Sequence, residues 1–382
     1  MGLAGGLERF DAIMTGILSE QQVAGASLAI AKDGRLVVAK GYGLANVQAG
    51  EPVRRQSLFS LGSVTKPITA VAILKLTEQG KVRLDDPLVN VLSDLTPLPG
   101  QTVFDPRFRD ITVRQLLYHA GGWNERNRSP AEGAPSAREL ERLAGIRRPL
   151  RGEESPELRY RIALSRPLDF TPGTEAHYSN FGFIVLRLVV ERASGQRYET
   201  YVREHVLAPM GITQMRLERA EGGYGGPDEV RRYAPGGQRM LHPRFGVNWV
   251  ASAPDMARFL TALDGSRGSP FLAPQSYAAM LAAPPPPLPL RPNGSHFGLG
   301  WDRVIKTAEG WEYAKNGGKP GVSAYIQHLP NGVDWVVLFN SGHENIPGEP
   351  TPLGRARRDI PAAIRAVTVW PAPDLFQAAP RR

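Results

Sequence analysis

Apolar residues recur at helical spacing near the start of the chain. Leu7, Phe10, Ile13, Met14, Ile17 and Leu18 fall on one face, which predicts an amphipathic helix over residues 5–21. The period then shortens. Residues 26–31 and 36–39 read as two strands, and the Asp33-Gly34 pair between them marks a tight hairpin. The run Gly41-Tyr42-Gly43-Leu44-Ala45 reads as a loop leaving that edge. Between Pro67 and Gln79 the positions Ile68, Val71, Ala72, Leu74 and Leu76 predict a buried helix stopped by Gly80. Asp85-Asp86-Pro87 opens a short helix, and Ile111 to Leu117 runs as a helix into His119-Ala120-Gly121-Gly122. Residues 124–157 are rich in Arg, Glu and Pro with little periodicity, and are expected to be a mobile excursion. Strongly apolar helices follow at 183–190 and 256–263. The proline run 284–292 reads as an extended linker. Beyond it the period is two, at 297–304, 311–315, 322–329 and 333–339, with Asn331-Gly332 as a hairpin signal. A closing helix is expected at 357–368 and a frayed tail after Pro371.

Two strands at the start and several at the end flank a helical middle. The economical arrangement is an α+β fold: one antiparallel sheet built from both chain ends, covered by the first and last helices, with a mainly helical domain inserted. The expected boundaries are 1–60 with 285–382 for the sheet domain and 61–284 for the helical one. The cleft between two such domains is the expected place for a site.

Composition narrows the chemistry. The chain has 382 residues with 42% hydrophobic and 22% charged, a balance that supports a packed core. Its formal charge of +9 comes from arginines spread along the chain, with no aromatic-interleaved basic block, so nucleic acid is not an expected partner. The absence of cysteine excludes disulfides, thiolate catalysis and cysteine-bound metals. Seven histidines show no helical ligand pair or zinc-like spacing, so no metal or cofactor is expected. No apolar run reaches the roughly 20 residues of a membrane helix. Met1 to Phe10 lacks a basic-then-apolar leader pattern, so the expected location is cytoplasmic, or periplasmic if a leader has been trimmed.

The one stretch with candidate chemistry is Phe59 to Lys66. Ser63 and Lys66 are three residues apart, so on a helical turn they share a face. A serine hydroxyl is a weak nucleophile until a neighbouring base takes its proton, and a partly desolvated lysine can serve. Taken alone, the pair is a weak signal and reads more readily as a helix cap followed by a solvated lysine. His119 could act as a base, but a single histidine behind a helix is more often structural.

Context changes that balance. Ser63-x-x-Lys66, Tyr178-x-Asn180 and Lys315-Asn316-Gly317-Gly318 occur in that order. Together they resemble the three active-site motifs of class C serine β-lactamases and their relatives, the penicillin-binding-protein-like peptidases, D-aminopeptidases and family VIII carboxylesterases. The resemblance runs from Gly25 to about Gly342. It implies that Ser63 becomes acylated and that Lys66 and Tyr178 take and return its proton. It further implies that Asn180 orients the substrate or Lys66, and that the N–H groups of Ser63 and Gly318 form an oxyanion hole. Lys315, Asn316 and Gly317 would line the substrate strand, with the glycines allowing close approach of the acyl group. Asn316 departs from the usual hydroxyl residue. The retained Lys315 would suit an anionic substrate.

The expected function is a serine hydrolase, most simply a carboxylesterase with weak β-lactam hydrolysis. Its partner would be a small-molecule ester or amide, and the sequence leaves oligomeric state open. Trp123, Phe181, Trp249 and Tyr325 are candidates for lining an apolar substrate site, or for plain core. Two alternatives stand: a class C-type β-lactamase or D-amino-acid peptidase, and a non-catalytic penicillin-binding module.

Overall fold

The Asp33-Gly34 turn forms with φ of 48° and 75°, the pair of left-handed residues that a two-residue hairpin of matching twist requires. It joins β1 (Gly25–Lys32) to β2 (Arg35–Asn46). The computed structural model describes residues 6–98, 100–103, 105–124, 156–218, 228–234, 248–342 and 351–377. The expected excursion at 124–157 lies almost wholly outside them. The remaining strands are β3 (Glu51–Pro52), β4 (Phe59–Ser60), β5 (Arg216–Leu217), β6 (Trp249–Ala251), β7 (Arg303–Lys306), β8 (Trp311–Lys319), β9 (Val322–Leu329) and β10 (Val333–Phe339). Seven of them form one sheet in the order β3-β2-β1-β10-β9-β8-β7, and β4-β6-β5 form a small second sheet. β1 pairs antiparallel with β10, so strands from the two ends of the sequence lie at the centre of an α+β fold.

The chain divides into two compact units. One comprises Met1–Thr65, Leu207–Phe271 and Lys306–Arg382, the other Lys66–Val206 and Leu272–Ile305. In the first, the helices Glu8–Glu20 and Pro352–Arg365 bury Phe10, Met14, Ile17, Ile360 and Ile364 against Leu28, Ile30, Trp335 and Val337 of the sheet. Alternation along the strands turns the opposite set toward the helix Ala253–Leu263. On that face His328 of β9 stands directly across from Asp334 of β10. Its Nδ1 lies 2.8 Å from Asp334 and 3.4 Å from Asp264, and its ring stacks on Tyr313 at 4.7 Å. Burial alone would push the imidazolium down, but the two carboxylates outweigh it and raise its pKa above the usual histidine value. Burial pushes the Asp334 carboxyl up to about 6.

In the second unit the helix Asn180–Ser194 is the hub, touching Leu88–Val91, Val113–Leu117, Pro156–Ala163 and Tyr198–Val202. Its start is capped by the Ser179 hydroxyl, which accepts from Gly182 N–H, and its end by the left-handed Gly195. The helix Thr65–Glu78 is buried along most of its length, and Thr69 Oγ1 meets the Tyr198 hydroxyl at 2.8 Å.

Several expectations are corrected. Gly41 to Ala45 continue β2 instead of leaving it as a loop, because Gly41 and Gly43 let Val53 and Ala24 pack where side chains would stand. Of the stretch 297–304 only Arg303 and Val304 enter the sheet, as the start of β7. The proline run folds back through turns with Leu288 buried, because Leu288 N–H bonds to Pro285 O. Among the described residues the tail does not fray between Pro371 and Gln377. Arg35 donates to the carbonyls of Pro371 and Ala372, and Leu375 N–H bonds to Leu36 O. The Phe376 ring lies between the guanidiniums of Arg258 and Arg267, at 4.3 and 4.5 Å. Among the described residues no helix is long and apolar enough to cross a membrane.

Candidate active site

Ser63 sits in the single 3₁₀ turn Gly62–Val64, which runs straight into the helix Thr65–Glu78. Trp249 of β6 brackets this turn with its main chain. Its carbonyl accepts from Leu61 N–H at 2.9 Å, and its N–H donates to Thr65 Oγ1 at 3.1 Å. The small sheet therefore holds the residues two before and two after Ser63. Gly62 has φ +50°, a conformation that disfavours side chains. Gly317 faces the same turn so closely that a Cβ there would lie 2.1 Å from Leu61 O. Its lack of a side chain thus admits the chain's own serine turn, a reason the sequence did not suggest. Gly318 is exposed, and a Cβ there would meet only Val322 O, at 3.9 Å.

Strand alternation separates the rest of this motif. Lys315 and Gly317 share the face of Ile326 and Ala324, their cross-strand partners, and Lys315 is 0% exposed. Asn316 lies on the opposite face, across from Tyr325, which packs on Trp335 at a ring distance of 5.0 Å. Immediately beyond, Lys319 Nζ donates to both oxygens of Glu218 at 2.9 and 2.7 Å, and Arg232 pairs with the same carboxylate. Burial pushes the Glu218 carboxyl up, but the two cations more than offset it and hold it below its usual range. Burial, reinforced by Arg232, brings the Lys319 ammonium down to about 8 despite Glu218. This triad ties the end of β8 to the residue following β5, and nothing in the sequence pattern announced it.

A second group of residues gathers around Lys66, which is 6% exposed. Its Nζ donates to Asn180 Oδ1 at 2.7 Å and lies 4.7 Å from the Tyr178 ring centroid and 5.4 Å from that of Phe183. The predicted Lys66, Tyr178 and Asn180 are thus brought together although they are over a hundred residues apart in sequence. Tyr178 is half-buried and Asn180 exposed. His119, 1% exposed, packs against Tyr178 with the rings tilted by 34° and their centroids 4.7 Å apart, and its Nδ1 accepts from Ser179 N–H at 3.1 Å. The four aromatics proposed to line a substrate site are core: Trp123, Phe181, Trp249 and Tyr325 are each no more than 4% exposed. Trp123, for example, is wedged edge-on against Phe108 and Phe181.

Chemically, one group offers a half-exposed serine at a helix start near the exposed strand residue Gly318. The other offers a buried amine bonded to an amide and lying over a phenol ring. Thr65 and Lys66 are adjacent in the chain, so both belong to one short segment. A profile of the family described as Beta-lactamase matches residues 10–356. Esterase EstB of Burkholderia gladioli is 30% identical over 92% of this chain and 94% of its own. Two solved structures share the fold. One is EstCE1, "a hydrolase with promiscuous acyltransferase activity", with a TM-score of 0.72, 22% identity and coverage of 94% of this chain and 97% of its own. The other is the octameric penicillin-binding protein homologue from Pyrococcus abyssi, at 0.72 and 24%, covering 94% of this chain and 77% of its own. The profile match and the esterase together place this chain in the Beta-lactamase family, as one of its serine hydrolases.

Proposed function

We propose that the protein is a carboxylesterase that works through an acyl-enzyme on Ser63. Ser63 Oγ attacks the ester carbonyl while the Lys66–Tyr178 pair takes its proton. The N–H groups of Ser63 and Gly318 receive the developing oxyanion. As the tetrahedral centre collapses, the C–O bond to the alcohol breaks and the pair returns the proton to the leaving oxygen. Water then attacks the acyl-serine, giving its proton to the pair, and as the bond to Ser63 Oγ breaks the pair returns that proton to Oγ and the acid leaves. Asn180 keeps the Lys66 ammonium directed toward this chemistry through its 2.7 Å bond.

The observation that carries the reading is the cluster of Lys66, Asn180 and Tyr178, whose lysine stands on the helix that begins two residues past Ser63. The likeness to an esterase over nearly the whole chain supports the ester as substrate. A second reading, a β-lactamase or D-amino-acid peptidase, draws on the cation at Lys315. That ammonium has no exposed surface, which weighs against its meeting a substrate carboxylate in this conformation. Short p-nitrophenyl esters and a chromogenic cephalosporin, tested side by side, separate the two. We expect ester hydrolysis that falls by on the order of 10⁴ or more in Ser63→Ala. Turnover of the cephalosporin alone would sink the esterase reading, and full activity in Ser63→Ala would sink the mechanism.

A further inference from the structure

We propose that His119 is a positioning residue that sets Tyr178 and the start of the Asn180 helix through its ring nitrogen Nδ1. The inference rests on the acyl-enzyme reading above, which makes the placement of Tyr178 matter. Tyr178 lies in an irregular segment between Gly173 and the helix Asn180–Ser194, so no helix or strand ladder holds it. One residue takes over that task. His119 O accepts from His177 N–H at 3.0 Å, and His119 Nδ1 accepts from Ser179 N–H at 3.1 Å. The residues on both sides of Tyr178 are therefore tied to the same partner, and its ring lies 4.7 Å from the imidazole. Phe183 and Phe297 pack the imidazole at 5.1 and 5.3 Å, which leaves it little freedom to turn.

Two features mark this placement as more than filling. An imidazole nitrogen that accepts a hydrogen bond cannot carry a proton, so the neutral ring holds its hydrogen on Nε2. A side chain without an acceptor at that point would strand the buried Ser179 N–H. His119 also adopts φ +61°, one of three non-glycine residues with positive φ among the described ones. Such conformations persist where the surroundings enforce them, and they cluster at functional sites. Because Ser179 is the N-cap of the next helix, the same bond fixes where Asn180 begins, and with it the acceptor of Lys66.

The test compares two side chains of similar shape. His119→Asn keeps an acceptor near the place of Nδ1 and tolerates the left-handed backbone, whereas His119→Leu removes the acceptor. We expect His119→Leu to lose on the order of 10²-fold in kcat on a p-nitrophenyl ester with KM nearly unchanged, since a small misplacement of a reacting group has that effect. His119→Asn should recover at least tenfold of it. Equal rates in the two variants, both melting near the wild type, would overturn the proposal, as would wild-type kcat in His119→Leu. If His119→Leu fails to fold, His119→Phe, which keeps a ring without an acceptor, takes its place under the same criteria. Intact-mass detection of the acyl adduct on Ser63, run alongside, separates the two failures. No adduct in wild type sinks the acyl-enzyme reading. A normal adduct with indistinguishable His119 variants sinks only the positioning role.

Discussion

The two residue groups are held in opposite ways. The Ser63 turn is fixed by main chain: Trp249 contributes its carbonyl and N–H, and two glycines make room. Tyr178 is fixed largely by one side chain and backbone, those of His119. A main-chain clamp survives most substitutions of the residue that supplies it, because every residue has the same N–H and C=O. A side-chain clamp does not. The nucleophile turn should therefore be sensitive to added bulk, and the tyrosine segment to a lost acceptor.

Three experiments sharpen that contrast, in descending order of effect. Gly317→Val places branched carbon where the Leu61 carbonyl stands, so the Ser63 turn must move. We expect ester hydrolysis to drop by more than about 10²-fold and stability by roughly 1–3 kcal/mol. The same change at the open Gly318 should be far milder in its effect on the melting temperature, and equal damage at both positions would remove the steric account. Thr65→Val keeps the volume but deletes the acceptor of the Trp249 N–H. A loss of about 1 kcal/mol with a moderate fall in kcat is expected, and no change in either would show that the main-chain clamp needs only its Leu61 half.

The smallest effect concerns pH and lies away from both groups. His328 has a raised pKa in the folded protein because two carboxylates face it. The stability this contributes is fully present below the ordinary histidine pKa of about 6.5 and is lost as pH climbs through the raised folded value. The burial-raised carboxyl of Asp334 acts with the same sign: stability falls as pH rises from about 4 toward about 6. Melting temperature should therefore decline from mildly acidic to alkaline buffer, by about 1–2 °C for each kcal/mol involved. His328→Gln should flatten that decline, and an unchanged slope would show that other groups govern it.

Much of this was legible in the sequence. Helical and two-residue periods placed most elements within a few residues of where they lie, because apolar faces must find a core. The Asp33-Gly34 and Asn331-Gly332 turns declared themselves through residues that tolerate positive φ. The errors came where tertiary contacts decide. Gly41 to Ala45 look like a loop by composition, yet they pair because backbone neighbours fill the space of the missing side chains. The tail beyond Pro371 looks frayed, yet Arg35, Arg55, Arg258, Arg267 and Asp374 hold its described residues 371–377. For four aromatics the sequence left substrate lining and core both open, and burial decides for core.

For the candidate site the division is equally physical. By itself the sequence determined which side chains are candidates for chemistry, since a hydroxyl, an amine and a phenol at Ser63, Lys66 and Tyr178 are properties of residue type and order. It also determined that Ser63 and Lys66 lie one turn apart, because helical spacing is local. Only the tertiary structure decided that Gly317 serves the serine turn, that Lys315 is buried while Asn316 faces the other way, and that His119 brackets Tyr178. Those outcomes depend on distances between atoms far apart along the chain, and no local pattern of residues encodes them.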